Sequence, residues 1–127
     1  MNKEYFDITY RGHTLDITNK YLSVSVHRVK NGINFLAAGE ALKKLSADAF
    51  ALNMYMFMIR NSENSIWKWD KDKLIENTSL NVYELNVAVI ELLNTGYMTF
   101  QMPDENFGTI RSFHIWEKPS LNPDYMN

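Results

Sequence analysis

The chain has 127 residues, 46% apolar and 22% charged, with a formal net charge of −2 and a pI near 5.9. That is the size of one domain with a single hydrophobic core, and the composition excludes collagen-like and disordered classes. An acidic pI argues against salt-driven polyanion binding by the whole surface, so any nucleic-acid contact must be local.

No apolar run approaches the roughly 18 residues that a membrane span needs, and the opening Met-Asn-Lys-Glu-Tyr-Phe-Asp has no signal-like apolar stretch. The absence of cysteine removes disulfides and thiolate metal sites and fits a reducing compartment. These features predict a cytoplasmic protein with no membrane contact. Charge is unevenly spread. Residues 1–45 hold seven bases against four acids, a net +3, whereas residues 46–127 hold six against eleven, a net −5.

The first third reads as β-structure. Phe6, Ile8 and Tyr10 alternate with polar residues, and Arg11-Gly12 turns the chain into a strand over 13–17. Leu22, Val24 and Val26 alternate with Ser23, Ser25 and His27, the mark of a strand with one buried face. Asn31-Gly32 then predicts a second hairpin, with a return strand over 33–36, because both residues tolerate positive φ. Of the two hairpins this second one has the stronger turn signal.

A short helical piece over 38–44 leads to a long helix capped by Ser46, with Asp48 in its first turn, where a carboxylate suits the helix dipole. Ala49, Leu52, Tyr55, Met56 and Ile59 share one face, and Phe50, Met54, Phe57 and Met58 widen it, so this helix is central. Arg60 and residues 61–64 form a polar loop. Ile66, Trp67 and Trp69 read as a brief strand. Asp70 caps a second helix over 71–77 that buries Leu74 and Ile75, and residues 78–81 are a turn. Asn81 caps a third helix over 82–94, with Leu85, Ala88, Val89 and Leu92 inward and Gly96 as its stop. Strands over 97–101 and 109–116 flank an acidic, Gly-containing tip, and the Pro/Asn-rich tail from Pro119 reads as frayed.

The residues Leu45-Ser46 with Ala49, Leu52 and Tyr55, then Trp69 and Leu74, then Thr78-x-Leu80-Asn81, Ala88, Leu92 and Gly96-Tyr97 form a pattern over about two-thirds of the chain. From about Phe35 onward it resembles the winged-helix domains of phage and plasmid replication initiators and of primosome-type proteins of low-GC bacteria. The resemblance implies an α+β winged helix-turn-helix, a three-helix core with a β-wing, here carrying a β-hairpin extension. As one domain, the chain would comprise that extension over 1–36, the core over 37–118 and a tail over 119–127. It also implies a cofactor-free DNA-binding or replication-associated regulator of a mobile element, able to act as a dimer on double-stranded DNA. The same fold serves equally as a protein-docking module, an adaptor or inhibitor without DNA affinity.

In such domains the start of the third helix offers Ser, Thr and Arg to base edges and phosphates. Here those positions are Asn81, Val82, Tyr83, Asn86 and Val87. Asn81 and Asn86 suit adenine in the major groove, and Tyr83 suits a phosphate. Yet the helix carries no Lys or Arg, and Glu84 and Glu91 give it a charge of −2; Asp104 and Glu105 make the hairpin tip acidic as well.

Arg28, Lys30, Lys43 and Lys44, with Arg111 on the outgoing strand, are the alternative phosphate contacts; His27, His114 and Lys118 extend that surface. The competing explanation is solvated lysines on a hairpin and helix face. Val82, Tyr83, Val87 and Ile90 either bury against the hairpins or form an apolar patch for a protein partner or second copy. Trp67, Trp69 and Trp116 fit core or strand-pairing aromatics better than base stacking. His13, His27 and His114 lie far apart in sequence, without metal-ligand spacing, and neither a phosphate loop nor a nucleophile motif is present. The expectation is therefore no enzyme, no metal site and no small-molecule substrate.

Overall fold

A computed structural model describes residues 7–10, 13–16, 23–27, 35–58, 66–100 and 112–123. The chain is α+β. In order it forms strands β1 (Asp7–Tyr10), β2 (His13–Asp16) and β3 (Ser23–His27), then helices α1 (Phe35–Lys44) and α2 (Ala47–Met58). There follow β4 (Ile66–Lys68), α3 (Lys71–Thr78), α4 (Val82–Thr95), β5 (Met98–Phe100) and β6 (Ser112–Trp116), with a 3-10 turn at Pro119–Leu121.

The long helices begin and end where their caps dictate. The Ser46 hydroxyl accepts from the Ala49 N–H at 3.3 Å, and the Asp70 carboxylate from the Lys73 N–H at 3.2 Å. Asn81 and Glu84 form a reciprocal capping box at the start of α4, with contacts of 2.7 and 2.9 Å. Gly96 stops α4 at φ 87°, the left-handed conformation that glycine adopts without Cβ strain. Ser79 does the same for α3 at φ 63°, its N–H donating to the Ile75 carbonyl.

β1 and β2 make the expected antiparallel hairpin, with Tyr10 opposite His13, and β1 runs within 8 Å (Cα to Cα) of α4. The second expected hairpin does not form. Residues 35 and 36 of its return strand open α1 instead; Ile33, Asn34 and the Asn31-Gly32 turn lie outside the described residues. The reason is periodicity: Ala37, Ala41 and Leu45 recur every four residues and bury one face, so the segment from Phe35 is helical throughout.

β3 finds other partners. The main sheet has the order β4-β3-β6-β5, with β3 antiparallel to β4 and parallel to β6. The strand from the first third thus sits between the strand after α2 and the late hairpin. Val24 and Val26 point inward beside Phe113 and Ile115, and all four are buried. They meet Leu52 and Met56 of α2 and Leu85, Val89 and Leu92 of α4 in one core. Trp69 belongs to that core too, its ring 5.2 Å from Phe113. Burial of each such side chain contributes about 1.5–3 kcal/mol.

The segment after β6 is not frayed at its start. Asn122 is buried, and its side-chain amide donates to the Gly96 carbonyl at 3.0 Å, tying the 3-10 turn to the end of α4. Among the described residues no helix is long and apolar enough to cross a membrane.

Candidate interaction surfaces on helix α4 and the sheet

Helix α4 holds most of the residues singled out in the sequence, and it divides them. Tyr83 and Val87, one turn apart, are 62% and 46% exposed. Ile90 packs against the core and Val82 is half-buried, so the four-residue apolar patch contracts to two strongly exposed members.

The polar positions are engaged in the fold. The Asn81 side-chain oxygen accepts from the Glu84 N–H, so a bidentate contact to a base would break the cap of α4. The Asn86 side-chain oxygen is buried without a hydrogen-bond partner. Neither asparagine presents a free amide edge of the kind adenine requires. Both acids of α4 are engaged as well. Glu84 accepts from the Asn81 N–H at 2.9 Å, and Glu91 accepts from the N–H and the hydroxyl of Ser46, each at 2.7 Å. A carboxylate at the start of a helix is stabilised there by unpaired N–H groups, which explains an acidic helix without reference to a ligand.

The basic residues gather elsewhere. Lys43 and Lys44 occupy the last turn of α1, where cations suit the helix dipole. Lys44 lines a cleft of about 390 Å³ with Glu40, Lys118, Ser120 and the last two residues of α4, Asn94 and Thr95. Lys44 and Lys118 therefore lie at the C-terminal end of α4, a helix about 20 Å long, opposite Asn81 and Tyr83. Arg28, Lys30 and Arg111 lie outside the described residues. From Asp70 to Thr95, the two bases Lys71 and Lys73 face five acids, a net −3.

The sheet carries a second group. Strand alternation turns Ser23, Ser25 and His27 of β3, Thr99 of β5 and Ser112, His114 and Trp116 of β6 away from the helices. His27 Nε2 and His114 Nδ1 lie 2.8 Å apart, although 87 positions separate them, so two histidines expected to be remote are neighbours. Their planes differ by 25° with ring centres 5.0 Å apart, the geometry of a nearly in-plane N–H···N bond. The Trp116 indole stacks on His27 at 4.2 Å and 15°, and its Nε1–H donates to the Thr99 hydroxyl at 3.0 Å. Burial, and then the neighbouring His114 charge, lower the His27 pKa. The parallel register of β3 on β6 creates this group. Its one sequence signal was the repeated polar alternation of Ser-x-Ser-x-His and Ser-x-His-x-Trp.

Among the described residues no three His, Asp or Glu side chains converge in a metal-binding arrangement. No family model, curated protein or solved structure matches this chain.

Proposed function

We propose that the chain is a winged-helix interaction module that docks a protein partner through Tyr83 and Val87 of α4, rather than one that reads duplex DNA. The order α2–β4–α3–α4–β5–β6 supports the winged-helix reading, with β3 added inside its sheet. The observation that carries the functional reading is the exposed Tyr83–Val87 pair on a helix with no cation. Tyrosine combines a large apolar face with a polar tip, the chemistry favoured at protein interfaces. A surface with a local charge of −3 repels phosphates, and affinity for duplex DNA is dominated by cation–phosphate contacts.

The test pairs two assays on the full chain. Micromolar protein is titrated against random duplex DNA at low salt, and its self-association and candidate partner complexes are followed by sedimentation. The reading expects no DNA shift and a complex that Tyr83→Ala dissolves. A salt-sensitive DNA shift that disappears in the Lys43→Glu, Lys44→Glu double variant would restore the DNA-binding reading.

A further inference from the structure

We propose that His27 and His114 form an acid-opened clasp: it holds β3 in the sheet while the pair carries at most one positive charge, and a second proton breaks it. His27 Nε2 and His114 Nδ1 are separated by 2.8 Å. Two ring nitrogens at that distance share one proton. One donates an N–H and the other accepts with its lone pair. With both rings neutral, or with one charged, the bond survives, and a single charge strengthens it. With both rings charged, two N–H groups point at each other and the contact must open.

Position turns that opening into a strand release. His27 is the last residue of β3, opposite Trp116, and His114 lies opposite Ser25. The ring pair therefore bridges β3 to β6 beside their shared ladder, and Trp116 lies across His27. The other described side chains on this face, Ser23, Ser25, Thr99, Ser112 and Trp116, carry no charge at neutral pH. Lys68 of β4 stands opposite Ser23 in register, and Glu117 follows Trp116, its N–H donating to the His27 carbonyl at 3.0 Å. Either ring can supply the shared proton, according to which tautomer the pair adopts.

The experiment measures urea unfolding from pH 8 to pH 5 in the wild type, His27→Gln and His114→Gln, with amide exchange of Ser25 and Ile115, whose N–H groups point into the β3–β6 ladder, followed in parallel. In the wild type the unfolding constant rises on acidification, by up to tenfold per pH unit for one extra proton taken up on unfolding. Both variants flatten that rise by the same amount. Corrected for intrinsic exchange, protection of Ser25 and Ile115 falls before that of Leu85 in α4. Should a variant fail to fold, ring titration of the wild type by NMR reads the coupling directly, as two separated proton uptakes. Equal pH slopes in wild type and variants overturn the clasp, as do two rings titrating independently with Ser25 protection unchanged.

Discussion

Glu91 on α4 holds both the backbone N–H and the hydroxyl of Ser46, so the carboxylate of one helix caps the start of another 45 positions earlier in the chain. Removing it leaves the first turn of α2 with only the Ser46 hydroxyl as a local acceptor. Glu91→Ala is expected to destabilise the fold by about 1–2 kcal/mol, and Glu91→Gln by less, because an amide oxygen still accepts. Urea midpoints at constant m-value measure this; equality of Glu91→Ala with wild type would show that water replaces the carboxylate.

Val24 tests whether β3 is integral to the domain. It is fully buried between β4 and β6, in contact with the core shared by α2 and α4. Val24→Ala should lower stability by about 1.5–3 kcal/mol through lost burial and a cavity. Thermal unfolding followed by helix ellipticity is the relevant readout, because the loss must appear in the helices as well as the strand. A change confined to local amides of β3 would mark the strand as an appendage.

Asn53 is fully buried in α2, and neither end of its amide has a hydrogen-bond partner among the described residues. An unpaired buried amide costs about 1–3 kcal/mol, so Asn53→Leu, which keeps the branching and the number of heavy atoms, should raise the unfolding midpoint. Ser79 offers a smaller gain at the left-handed cap of α3. Ser79→Gly relieves the Cβ strain of positive φ, offset by the greater freedom of an unfolded glycine, for a net gain of about 0.5 kcal/mol. Destabilisation by either substitution would show that the native side chain costs the fold less than its replacement.

The lowered His27 pKa fixes the sign of a pH effect. The folded protein binds this proton less readily than the unfolded chain does, so the contribution to stability is complete above the ordinary histidine pKa of about 6.5. It is lost as pH falls below that value and through the folded pKa. Trp116 reports the same event, since a charged imidazole at 4.2 Å quenches indole emission. The difference spectrum between wild type and Trp116→Phe should dim with a midpoint below pH 6.5. A midpoint above it reverses the sign.

The helices were legible because their determinants are local. Ser46, Asp70, Asn81 and Gly96 act within one turn of their own position, and each lies where its cap is needed. β3 itself was legible from the alternation of Val24 and Val26. Its partners were not, because Lys68 and Trp116 are chosen by the closing of a core and not by any neighbour in sequence. A strong turn signal at Asn31-Gly32 drew Phe35 and Leu36 into an imagined strand, where three apolar residues fit either period; the four-residue recurrence of Ala37, Ala41 and Leu45 identifies the helix. Tyr83 and Val87 were recognisable as outward-facing, whereas the engagement of Glu91 by Ser46 and the meeting of His27 with His114 required coordinates.

The placement of β3 also orders events during biosynthesis. Its antiparallel neighbour is made about forty residues after it, and its parallel neighbour about ninety residues after it. Helices assemble from nearby residues, but a parallel ladder must wait for loop closure across the chain. The nascent protein therefore carries an unpaired, valine-bearing ribbon until those residues are made, and that interval is when chaperone capture or mispairing with another nascent copy competes with the native sheet.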